Sequence, residues 1–148
     1  MDIRNIVTFE TPGFPDDTQW TENDHLLAPG GHAIADAIIA GLRGAGFNVS
    51  ESFQHEEHGW AFEVFLTKKR SEYCLVQMAA DPDAMMLLLW PRWSFLERLI
   101  YGKNYAIRKK VLLDRIDFLL KHDARFSAIQ WFTQAAFHSG IRKGEECP

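Results

Sequence analysis

Residues 58–67 read His58-Gly59-Trp60-Ala61-Phe62-Glu63-Val64-Phe65-Leu66-Thr67, and this stretch decides the fold. Trp60, Phe62, Val64 and Leu66 recur at every second position, with Glu63 and Thr67 on the opposite side. A period of two lines one face of a β-strand with the apolar set. Phe47, Val49 and Phe53 share a face in the segment before it, and His55-Glu56-Glu57-His58-Gly59 between them is a polar, glycine-ended turn. The spacing predicts a hairpin. Lys68-Lys69-Arg70-Ser71 is a second turn, leading into a strand over 72–80. Asp81-Pro82-Asp83 is a third, leading into 84–90. Met86 to Trp90 is apolar on both faces, as in a central strand covered on two sides or one with a partly exposed apolar face.

The flanks supply the rest. Ile3, Val7 and Phe9 alternate with Arg4, Thr8 and Glu10, which predicts a first strand over residues 1–10. Residues 11–28 hold Pro12, Gly13, Pro15 and many polar side chains, and read as an acidic loop carrying Trp20. Pro29-Gly30-Gly31 opens a helix in which Ile34, Ala35, Ile38, Ile39 and Leu42 repeat at helical spacing, and Gly44 and Gly46 end it. After Ser94 the period is helical again. Phe95, Leu96, Leu99 and Ile100 predict a short helix ending at Gly102. Tyr105, Leu112, Ile116, Leu119 and Leu120 predict a longer one, and Phe126, Ile129, Thr133 and Ala136 a last one closed by Gly140. Residues 143–148 read as a flexible tail. The order β-α-β-β-β-β-α-α-α predicts an α+β domain over 1–148: a mainly antiparallel, four- to five-stranded sheet with helices packed on one face.

Composition narrows the setting. A chain of 148 residues fits one domain, long enough to bury roughly two-thirds of its unfolded surface. Its two cysteines, Cys74 in a predicted strand and Cys147 beside the C-terminus, make no disulfide framework and suit a reducing compartment. The N-terminus shows no cationic stretch followed by an apolar run, and 84–90 is too short to span a bilayer. The expectation is a cytoplasmic protein without a membrane partner.

Charge is unevenly placed. Residues 1–67 carry eleven acidic side chains against two basic ones, Arg4 and Arg43, whereas residues 68–148 carry fourteen basic against nine acidic. A field of one sign selects and steers complementary partners. Asp16, Asp17, Trp20, Glu22 and Asp24 lie in one predicted loop, and Glu56 and Glu57 at a hairpin tip beside Trp60. Carboxylates interspersed with tryptophan suit docking to a basic protein, the charges speeding encounter and the ring supplying a buried anchor. The same residues also suit a merely solvated surface with Trp20 folded onto the core.

Other chemistries have weaker signatures. The two histidines of 55–58 stand three apart in a hairpin, not four apart on a helix, so they need not converge on one ion. His25 and His32 add nothing in ligand spacing, and neither a metal nor a cofactor is expected. There is no Gly-x-Ser-x-Gly elbow and no base beside Cys74, so no catalytic residue is assigned. Pro29-Gly30-Gly31-His32 lacks the Lys-Ser/Thr of a phosphate loop and reads as cap geometry. Lys103, Arg108, Lys109, Lys110, Arg115, Lys121 and Arg125 form a basic stripe, but Asp114, Asp117 and Asp123 interrupt it and the chain's pI is 5.8. Lys110–Asp114 and Asp117–Lys121 at i, i+4 mark a solvated helix face rather than a nucleic-acid surface.

Across residues 28–93, the helix Pro29-Gly30-Gly31…Ala35-Asp36-Ala37…Leu42, then Ala45-Gly46-Phe47-Asn48-Val49-Ser50, then His58-Gly59-Trp60-Ala61-Phe62-Glu63-Val64, resemble small uncharacterised bacterial α+β proteins. Some of these resemble immunity proteins that neutralise toxins delivered between competing bacteria. The likeness covers under half the chain and carries no catalytic positions. It implies a protein-binding role. The leading expectation is a non-enzymatic, immunity-type inhibitor that blocks a basic toxin domain through its acidic half. The alternatives are a small-ligand binder or minor hydrolase with a site near His32, His55 and His58, and a structural subunit that forms a homodimer through the apolar segment 85–93.

Overall fold

The computed structural model describes residues 3–80, 84–92 and 94–148, apart from the side chains at 95, 98 and 101. Residues 1–2 of the first predicted strand, the 81–83 turn and position 93, the end of the 85–93 segment, lie outside the described residues. The architecture is α+β. The strands are β1 (Arg4–Glu10), β2 (Gln19–Trp20), β3 (Leu26–Ala28), β4 (Asn48–Val49), β5 (Phe53–His55), β6 (Gly59–Phe65), β7 (Ser71–Met78), β8 (Ala84–Pro91) and β9 (Ser127–Thr133). The helices are α1 (His32–Gly44), between β3 and β4, α2 (Phe95–His122), between β8 and β9, and α3 (Gln134–His138).

The main sheet is antiparallel throughout and wider than the four to five strands expected. Across it the order is β4-β6-β7-β8-β1-β9, and β5 joins β4 on the same side of β6 as an interrupted edge strand. The β5–β6 hairpin forms as its sequence predicts, with Phe53 opposite Ala61 and His55 opposite Gly59. Gly59 is required there: a Cβ would sit 2.0 Å from the Val76 carbonyl oxygen of β7. β2 and β3 pair only with each other, inside the 11–28 loop.

One apolar layer holds the molecule together. Alternation sends Val7 and Phe9 of β1, Phe62 and Val64 of β6, Cys74 and Val76 of β7, and Leu87 and Leu89 of β8 to the same face. There they meet Ile34, Ile38 and Leu42 of α1 and Leu112, Ile116 and Leu120 of α2. Gly41 lets α1 and α2 approach closely, since a Cβ would lie 2.8 Å from a Leu119 methyl. Along the reverse face Ala61, Tyr73 and Leu75 form a smaller cluster.

Three expectations are corrected. The segment with Phe126, Ile129 and Thr133 is not a helix: residues 127–133 form β9, which pairs with β1 through Trp131 opposite Val7 and Phe132 opposite Ile6. Only 134–138 is helical, and α3 sets Phe137 edge-on to Phe132 with ring centroids 5.7 Å apart, on the reverse face rather than with α1 and α2. Second, the two helices expected around Gly102 are one helix, α2. A capping box starts it, Ser94 Oγ accepting from Glu97 N and Glu97 Oε2 accepting from Ser94 N. The roughly 1 kcal/mol cost of a mid-helix glycine does not break it. Third, the tail is tied down: Glu145 exchanges two backbone bonds with Trp131, Arg4 donates to the Cys147 carbonyl and Lys121 to that of Glu146.

Candidate functional site

The acidic loop is fastened to the start of α1 by one of its own carboxylates. Gly31, at φ +102°, ends the approach to α1, and the helix's first N–H groups need acceptors. Asp17 supplies them from fourteen residues upstream: Oδ1 accepts from Gly31 N at 2.7 Å and Oδ2 from Ala33 N at 2.9 Å. A carboxylate there also meets the positive end of the helix dipole. Asp16 folds its own turn, accepting from the N–H and hydroxyl of Thr18, which holds its carboxyl below the usual range. Trp60 fixes the other wall, donating from Nε1 to the Pro29 carbonyl at 2.8 Å and stacking on His32 at 3.8 Å.

These fastenings open a cleft of about 660 Å³ at the end of the sheet where the β5–β6 turn stands. Asp16, Asp17, Trp20, Glu57, His58 and Met78 line it, together with Pro29, Gly31 and Met85. No Lys or Arg lines it among the described residues. Trp20 is 60% exposed and Met78 58%, so large apolar surfaces stand open beside carboxylates. Trp20 is therefore not folded onto the core.

The sequence-predicted residues thus divide. The structure brings Asp16, Asp17, Trp20 and Glu57 to one cleft, although loop and hairpin tip lie some forty residues apart. Glu22, Asp24 and Glu56 are exposed in the same two turns but do not line it. Asp24 and Glu56 take positive φ, 59° and 49°, at tight corners. Trp60 and Asp17 are engaged within the fold.

The histidines do not gather. His32 stacks on Trp60 on the α1 side, 3.3 Å from Asp36, and its Nε2 lies 3.1 Å from the Ser52 hydroxyl. His55 turns to the reverse face, its Nδ1 2.7 Å from the Tyr73 hydroxyl. His58 stands at the cleft, its ring centroid 6.0 Å from that of His55. Among the described residues no three His, Cys, Asp or Glu side chains are grouped to hold a metal ion. Cys74 is fully buried, and burial followed by the nearby Glu72 charge pushes its thiol well above the usual value, so it is a poor nucleophile.

One cluster was hidden in the sequence. Lys109, read there as part of a solvated basic stripe, is 7% exposed and reaches Glu72 Oε1 at 2.5 Å. Glu72 is wholly buried, and the Tyr105 hydroxyl donates to its Oε2. The readable hint was position: Glu72 falls in register with the apolar Cys74 and Val76, and Lys109 with Tyr105, Leu112 and Ile116. Lys110–Asp114 does lie on the surface of α2 as an ion pair, whereas Asp117, paired with Lys121, is only 16% exposed and also accepts from Trp131 Nε1 at 2.8 Å. Arg108 donates instead to the Leu66 carbonyl at 2.6 Å. Compared with protein families, with curated proteins and with solved structures, the chain finds no match.

Proposed function

We propose that the chain is a non-enzymatic protein-binding module whose acid-lined cleft receives a basic partner, in the manner of an immunity protein that blocks a basic toxin domain. One observation carries this reading: two acidic turns, distant in sequence, frame one cleft with exposed Trp20 and Met78 and with no cation among its described walls. A lysine or arginine entering it would meet Asp16 and Glu57, while the tryptophan and methionine take up the apolar stem. Cys74 and Cys147 are both free thiols, which suits work in the cytoplasm. No helix among the described residues is long and apolar enough to cross a membrane.

The test is capture on immobilised protein followed by binding kinetics of the captured partner. Glu22→Lys with Glu57→Lys should slow association several-fold, and added salt should slow the wild type in the same way. Trp20→Ala should act on the dissociation rate. Association indifferent to salt and to charge reversal would leave the acidity with a role in solubility alone.

A further inference from the structure

Helix α2 is apolar on two opposite sides. Tyr105, Leu112, Ile116 and Leu120 are buried in the core. At 100° per residue, Leu96, Ile100, Ile107, Val111 and Phe118 fall within a sector about 60° wide, on the side facing away from it. These five are exposed by 69%, 72%, 61%, 56% and 48%. Such a stripe along one helix, unlike scattered surface leucines, marks a contact.

We propose that a second copy of this chain covers the stripe, the two α2 helices packing antiparallel about a two-fold axis level with position 109. The spacing is the first argument. Ile107 and Val111 lie two residues either side of 109, and Ile100 and Phe118 nine either side. An isologous interface needs this palindromic placement, because each residue i of one copy then faces residue 218 − i of the other. Ile107 meets Val111 of the second copy, and Ile100 meets its Phe118. Shape is the second argument. Where Phe118 stands, α1 and α2 leave a groove of about 640 Å³, its lining small and apolar at Ala37, Ala40 and Gly41 and charged at Asp36, Asp123 and Arg125. The pairing brings Ile100 of the second copy beside Phe118 at its mouth, next to the small side chains of α1.

Charge is the third argument. The exposed Lys103 comes within one residue of the level of Asp114 on the second copy, on the same flank, adding a contact to the Lys110–Asp114 pair within each chain. Area is the fourth argument. The five side chains of the stripe offer on the order of 100 Å² each, about 500 Å² per copy, and the flanking polar residues, Lys103 and Asp114 among them, supply the rest of the roughly 800 Å² per partner that a stable interface takes. The segment earlier considered for a dimer is a poorer surface, since β8 is paired on both edges, by β7 and β1. The α2 interface also leaves the acid-lined cleft clear.

Sedimentation of the full chain between about 1 and 100 µM tests this. The wild type should show a dimer mass at the upper end. Ile107→Glu, which puts a carboxylate beside the axis in both copies, should leave a monomer with unchanged far-UV circular dichroism; Ile100→Glu serves if that variant unfolds. Lys103→Glu should weaken the dimer about tenfold, and Lys103→Glu with Asp114→Lys should restore it. Trp20→Ala, in the cleft, should leave the mass unchanged. A wild-type monomer at the highest concentration, a dimer indifferent to both glutamate variants, or no rescue by the charge swap would each overturn the proposal. A monomer that pellets with phosphatidylserine vesicles, and ceases to in Ile107→Glu, would assign the stripe to a membrane surface instead.

Discussion

Replacing Lys109 by Met removes the cation that faces Glu72 while keeping most of the aliphatic stem. What remains is a carboxylate with no exposed surface, whose Oε1 has no well-directed hydrogen bond and relies on the ammonium 2.5 Å away. The Tyr105 hydroxyl still serves Oε2, so half the carboxylate is left without a partner. Breaking a buried pair from one side costs about 3–5 kcal/mol. With a urea m value near 2 kcal/mol/M, the unfolding midpoint should fall by about 2 M. Removing the other partner should cost less: the Lys109 side chain is 8% exposed and has a flexible stem on which to reach water. Replacing both, Glu72→Leu with Lys109→Met, should return stability to within about 1 kcal/mol of the wild type or above it, since a packed apolar pair avoids desolvating two ions. Tyr105 keeps the Ser71 carbonyl, 3.1 Å from its hydroxyl, as an acceptor. Urea titrations of the four proteins, followed by tryptophan fluorescence, close the cycle. If Lys109→Met shifts the midpoint no more than Glu72→Leu does, the one-sided burial argument is wrong.

Three further outcomes are expected. Phe62→Ala, at a wholly buried site between the sheet and α1, should lose about 3–5 kcal/mol in the same titration. Asp17→Ala removes the acceptor for two N–H groups of α1 and should cost about 1–2 kcal/mol, measured as a drop in thermal midpoint; because it also frees the loop, proteolysis within 11–28 should quicken. The Arg125 hydrogen bonds hold the Asp123 carboxyl below its ordinary 3.8, so its contribution is present above that pH and is lost as acid protonates it. Asp123→Asn should therefore flatten the decline in midpoint between about pH 5 and 3 relative to the wild type.

How far the fold could be read from residue order depends on whether a signal is local. α1 declares itself because Ile34, Ile38 and Leu42 repeat at its own period, and β6 because Phe62 and Val64 alternate; both patterns are complete within a dozen residues. The breadth of the charge asymmetry and the acidic character of 11–28 are equally plain in the order of residues. β9 is different. Its Ile129 and Thr133 fit a helical spacing while Trp131 and Phe132 fit a strand, and a short apolar run has no period strong enough to arbitrate. Pairing with β1, more than a hundred residues away, decided it.

The same holds for the candidate site. Which side chains carry charge and which are aromatic is settled by sequence, as is the turn chemistry that brings them to loop tips. That Asp17 turns inward to cap α1 while Asp16 and Glu57 face a common cleft depends on where α1 begins relative to the β5–β6 turn. Likewise a lysine among lysines is indistinguishable from its neighbours until a buried carboxylate on another element meets it, as Glu72 of β7 meets Lys109 of α2. Periodicity fixes which face a residue occupies along its own element; only the packing of elements against one another determines what that face meets, because desolvation and Coulomb energy depend on distance in space and not along the chain.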